Sequence, residues 1–95
     1  MSARLLIHER RLFDDGAIME MKIWRVPTPV STTTHGLKYS LLYGYPGRRV
    51  VGYDNERTKG DHRHLDEREL PYAWVSVEQL VADFLSDGRS IRGSL

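Results

Sequence analysis

Residues 76–85 read SVEQLVADFL, and the layer arrangement of the whole chain follows from them. Ser76 can cap a helix N-terminus, with Gln79 three residues on as its capping-box partner. Val77, Leu80, Val81, Phe84 and Leu85 recur at helical spacing and make one apolar stripe. Gly88 is the expected C′ stop. A helix with one apolar stripe must bury it, and everything upstream reads as strand and turn. The expected fold class is therefore α+β: a small antiparallel β-sheet of four or five strands, in meander order, with a C-terminal helix packed on one face. The other face is left to solvent or to a ligand.

The strands follow from period-2 patterning. Ala3–Phe13 reads as the first, with Leu5 and Ile7 opposed to Leu6, His8 and Arg10. Asp14-Asp15-Gly16 is a hairpin turn, because Asp-Gly accepts positive φ cheaply. Ala17–Val26 is the second strand, with Met19, Met21 and Ile23 on one face and Glu20, Lys22 and Trp24 on the other. Pro27 and Pro29 end it, and Pro27–Gly36 is a loop. Leu37–Tyr45 is the third strand, with Leu37, Tyr39, Leu41, Tyr43 and Tyr45 pointing one way. After the Pro46-Gly47 turn, Arg48–Asp54 is the fourth. Asn55–Leu70 reads as a loop, and Tyr72–Val75 as a short fifth strand. The tyrosine stripe could stack nucleic-acid bases, but the helix needs a partner surface, and this stripe is the natural one.

Composition limits the function. The 95 residues fit one domain, 1–95, with no linker or repeat. A domain this short has a thin core, so a homodimer or partner contact would matter to its stability. Hydrophobic residues make up 40% and charged residues 28%, an ordinary globular mix. With no cysteine, disulfides, thiolate zinc sites and thiol nucleophiles are excluded. No apolar run approaches the roughly 20 residues of a membrane span or the core of a signal peptide, so a soluble protein that stays where it is made is expected. The net charge of +1 hides an asymmetry: residues 1–63 hold 11 Lys/Arg and 7 Asp/Glu, residues 64–95 hold 3 and 6.

Chemistry-bearing residues concentrate in Tyr53–His64, YDNERTKGDHRH. If the segment is extended, His62 and His64 project to the same side. Two imidazoles among Arg57, Lys59 and Arg63 suit phosphodiester chemistry: one takes the 2′-hydroxyl proton, the other protonates the leaving 5′-oxygen, and the cations stabilise the added negative charge. Glu56 or Asp54 would orient a histidine or serve as the base, and Tyr53 would contact nucleic acid. No cofactor is required. A metal reading competes, with Asp61, His62 and His64, and Asp66 beyond them, as ligands; the flanking cations argue against it. The plain alternative is a solvated polar loop.

Trp24-Arg25-Val26-Pro27, Tyr53-Asp54-Asn55-Glu56-Arg57, Lys59-Gly60-Asp61-His62-Arg63-His64, Pro71-Tyr72 and the amphipathic C-terminal helix together resemble the TumE family. The resemblance implies a growth-inhibiting toxin of the cytoplasm, encoded beside a cognate antitoxin. It carries no assigned chemistry for these positions. The resulting expectation is a metal-independent endoribonuclease with His62 and His64 as acid–base pair and RNA as substrate. The alternatives are a non-enzymatic module that inhibits a nucleic-acid machine through protein contacts, and a metal-dependent nuclease.

Overall fold

Alternation of apolar and polar residues builds the sheet outward from its middle. In β2 (Ile18–Arg25) and β3 (Leu37–Tyr45), Met19 lies opposite Tyr43, Met21 opposite Leu41 and Ile23 opposite Tyr39. All six are buried, so a one-residue slip would turn the whole set toward water. The computed structural model describes residues 3–26, 36–56 and 60–93, with the backbone alone at Glu56. Residues 27–35 of the expected loop, Arg57 and Lys59 lie outside the described residues.

β1 (Arg4–Leu12) pairs with β2 across the Asp14–Gly16 turn, where Gly16 has φ 89° and the Asp15 carboxylate accepts from the Ala17 N–H. β3 runs through Pro46-Gly47 into β4 (Arg48–Glu56), and Gly47 has φ 77°. β5 (Gly60–Leu65) and β6 (Arg68–Pro71) complete a six-stranded antiparallel sheet in sequential order. The α+β class and the meander are as the sequence implies, with more strands.

The expected loop Asn55–Leu70 is instead the end of β4 followed by a hairpin. Its sequence conceals this because β5, GDHRHL, alternates between polar residues on both faces and so lacks an apolar period. β6 is a short edge strand ending at Pro71, which cannot extend a ladder. Tyr72–Val75, expected as a strand, forms none. It carries the chain across the sheet to the helix, with Trp74 stacked on Tyr39 at 5.6 Å.

α1 (Val77–Arg92) is capped by the Ser76 hydroxyl, which accepts from the Gln79 N–H at 3.0 Å. The other half of the expected capping box does not form, since the Gln79 side chain donates to Asp83. Nor does Gly88 end the helix. It is buried on the stripe of Leu80 and Phe84, and Gly93 (φ 97°) is the left-handed cap, donating to the Arg89 carbonyl. Leu80 and Phe84 are fully buried with Tyr39, Tyr43, Tyr53 and Val51 in one core cluster. The Tyr53 ring meets Phe84 and Tyr72 edge-on. The tyrosine stripe is thus core through Tyr43, while Tyr45, the last residue of β3, is exposed and donates its hydroxyl to Asp15.

One irregularity governs the opposite face. Tyr43 pairs with Val51 but Gly44 pairs with Arg49, so Val50 is an extra residue in β4. Gly44 makes this bulge possible: a Cβ there would come within 2.3 Å of the Arg48 carbonyl oxygen. Phe84→Ala should lower unfolding free energy by about 3–5 kcal/mol. Gly44→Ala should cost about 1–3 kcal/mol from the backbone clash. Urea unfolding of the two variants measures both, and a neutral Gly44→Ala would remove the bulge from the account.

Candidate active site on the helix-free face

The pairing of β4 with β5 sets His62 opposite Asp54 and His64 opposite Gly52. All four positions face away from α1. The two rings lie edge to face, 4.9 Å apart. Asp54 reaches between them: His62 Nε2 makes a close ion-pair contact with its Oδ1, and His64 Nε2 lies 3.7 Å from the same atom. Asp54 Oδ1 is buried and has no conventional hydrogen bond, so these charge contacts are its compensation.

The bulge brings in the fourth member. A regular strand would put Arg49 on the helix side with Val51 and Tyr53. The extra residue turns it onto the face of Gly52 and Asp54. Arg49 lies across Gly52, where a Cβ would come within 2.6 Å of its Cδ. One guanidinium nitrogen is 3.0 Å from His64 Nδ1 and the other 3.8 Å from Asp54 Oδ2. Arginine only donates, so His64 Nδ1 accepts, and the neutral ring carries its proton on Nε2, toward Asp54. Burial holds the His64 pKa below its ordinary value, and the Arg49 charge adds to this, outweighing Asp54. His62 faces oxygen on both sides, the Gly60 carbonyl at Nδ1 and Asp54 at Nε2. A proton on Nδ1 points at the Gly60 carbonyl and one on Nε2 points at Asp54. Arg49 and Asp54 also wall a shallow cleft of about 360 Å³ with Ser40, Leu42 and Gly52. The histidines stand behind this wall, 4% and 8% exposed.

Other expected site residues are elsewhere. Arg63, between the histidines in sequence, projects to the helix side, 3.6 Å from Asp87 and over the Tyr53 ring. It does not share a face with His62 and His64. Tyr53 is 1% exposed and donates its hydroxyl to Asp87, with burial and that bond raising its pKa. It is a core residue and offers no base-stacking surface. Asp61 also lies on the helix side and accepts from the Tyr39 hydroxyl at 2.7 Å, so the ligand set Asp61, His62, His64 is not assembled. Asp66 pairs with Arg48 at the β5–β6 turn. Glu56 is described in its backbone only, and Arg57 and Lys59 not at all.

The ligand set that does assemble is Asp54, His62 and His64, whose donor atoms lie within 4.8 Å of one another. Asp54 and His62 Nε2 suit a divalent ion. His64 does not while Arg49 donates to its Nδ1, because Nε2 is then protonated. The guanidinium beside Asp54 opposes a cation as well. Arg49 is the residue that strand periodicity alone misses. The signal for it is indirect: two glycines, Gly44 in β3 opposite Arg49 and Gly52 in β4 opposite Leu42, at strand positions where β-branched residues are the norm.

A family model described as Toxin TumE matches residues 2–93. The chain belongs to the TumE toxin family. No curated protein and no solved structure matches it. The match takes in all six strands, the helix and every residue of the Arg49–Asp54–His62–His64 cluster. Among the described residues of this TumE chain, no helix is long and apolar enough to cross a membrane.

The pairing of Arg49 with His64 has a direct spectroscopic consequence. In an NMR titration His64 should titrate below its ordinary 6.5, and Arg49→Ala should move it upward. Gly52→Ala should do the same, since its methyl group displaces Arg49. An unchanged His64 titration in Arg49→Ala would falsify the contact. Stability follows with a fixed sign. The folded state prefers neutral His64, so the unfolded chain binds its proton at higher pH. This contribution is complete above about pH 6.5 and is lost as pH falls through the folded value. The fall in Tm below pH 6.5 should therefore be shallower in His64→Gln.

Proposed function

We propose that this toxin is a metal-independent endoribonuclease working from the helix-free face. The observation that supports it is the convergence of Arg49, Asp54, His62 and His64 beside one cleft, where two titratable rings stand in different electrostatic settings. Such divergence is how one site supplies both an acid and a base. An RNA phosphate entering the cleft would draw the Arg49 guanidinium to itself. That releases Nδ1 of neutral His64 to take the 2′-hydroxyl proton. Oxygen O2′ then attacks phosphorus, the bond to the 5′-oxygen breaks, and a 2′,3′-cyclic phosphate forms. His62 supplies the proton for the leaving 5′-oxygen through Asp54, the member of that pair on the cleft wall. Arg49 stabilises charge on the phosphorane oxygens. Arg57 and Lys59 belong to this reading as further phosphate contacts on the strength of their charge alone. A cognate antitoxin that silences the activity, and a cytoplasmic site of action, complete the reading.

The test is cleavage of RNA by purified protein in EDTA. Wild type should cut, and His64→Ala and His62→Ala should each lose about 10²–10⁴-fold. Arg49→Ala should lose about 10²–10³-fold. Because the base is a histidine with a lowered pKa, the acid limb of the rate should lie below pH 6.5. Intact RNA with wild type, or full cleavage by both histidine variants, sinks the proposal. Cleavage that requires an added divalent ion would instead support a metal bound by Asp54 and His62.

The near-complete burial of both rings favours a second reading. There the cluster is a structural pin between β4 and β5, and the toxin acts by binding, without turnover. Growth inhibition that survives His64→Gln, with the fold checked by circular dichroism, would select it.

A further inference from the structure

The two edges of the sheet are unlike. β6 is four residues long and ends at Pro71, which has no N–H to offer. Short length and proline are how a sheet edge is closed to strand addition. β1 at the opposite edge is nine residues long and pairs only with β2 among the described residues. Every one of its side chains except Ile7 is exposed. Three of the six large hydrophobic residues exposed among the described residues, Leu5 (50%), Leu6 (39%) and Leu12 (72%), belong to this strand. A bulge at Leu6 interrupts its register with β2, and from Ile7 to Leu12 the ladder is regular.

We infer that β1 accepts an added strand from a protein partner, along Ile7–Leu12, and that the incoming segment is acidic with interspersed apolar residues. The charge on the strand selects this occupant. β1 carries Arg4, Arg10 and Arg11 against Glu9 alone, a net +2 with His8 neutral. A second copy of β1 would double that charge in one ladder, and like charges placed opposite one another destabilise a strand pair. An acidic segment pairs with Arg10 and Arg11 instead, while its apolar side chains cover Leu12 and the leucines beyond the bulge. Backbone hydrogen bonds supply the affinity in this mode, and the alternate side chains supply the choice of partner. The inference does not rest on the catalytic reading, because β2 lies between β1 and the β3–β4 cleft of Arg49 and Asp54.

The experiment uses the whole protein and a blocked synthetic nonapeptide, Val-Val-Glu-Glu-Val-Val-Glu-Glu-Val, at millimolar concentration, in which adjacent glutamates fall on opposite faces as Arg10 and Arg11 do. Hydrogen exchange should slow at the amides of residues 7–12 and leave β6 unchanged. The matching valine–lysine peptide should bind at least tenfold more weakly. Arg10→Glu/Arg11→Glu, two exposed positions, should invert that preference. Protection elsewhere in the sheet, equal binding of both peptides, or no protection by either overturns the inference. So does protection of residues 7–12 that rises with protein concentration in the absence of peptide, because the occupant would then be a second copy.

Discussion

The burial of Leu80 and Phe84 against the tyrosine-lined face sets the polarity of every other part of the structure. A sheet with one helix can dry only one face, and the choice is made by Met19, Met21, Ile23, Tyr39, Leu41, Tyr43 and Tyr53. The complementary positions are then committed to the other side whatever their chemistry. His62, His64 and Asp54 are brought together by the same alternation that fills the core, because strand geometry gives each core residue a neighbour that faces away. The cluster is a by-product of the core pattern in its location, though not in its residue types.

The acidic C-terminal third has a use that a charge count does not suggest. Asp83 accepts from Tyr72, and Asp87 accepts from Tyr53 and lies near Arg63. Each of these tyrosines places its ring in or against the core and needs an acceptor for its hydroxyl. Much of the negative charge on α1 is thereby turned inward, against the sheet. The basic residues of β1 have no such internal partner layer, so the charge asymmetry of the sequence survives on the surface at one sheet edge.

The fold was legible where apolar periodicity is strong, in β2, β3 and the first half of α1. It was not legible in β5, whose inward residues are imidazoles paired with a carboxylate on the neighbouring strand. Only the pairing partner reveals that such positions are interior. The helix extends past the expected stop because Gly88 has two opposite uses, as a terminator or as a small residue on a buried stripe, and sequence spacing allows both. In the site, His62 and His64 were placed on one side correctly because period 2 requires it. The same rule puts Arg63 and Asp61 on the other face, so a cluster read along the chain overstates what meets in space. Arg49 escaped because a bulge inverts the rule locally.

Arg92 lies over the Phe13 ring at 3.9 Å and pairs with Asp15, a hydrogen bond between residues 77 apart in sequence. The segment that dries the sheet and clasps its first turn is thus translated after all six strands. Until α1 has left the ribosome, the tyrosine face stays wet, and the strand pairing it would stabilise is only marginally held. The six strands alone therefore leave this face uncovered, and its burial is coupled through α1 to the hairpin turn at the far end of the sequence.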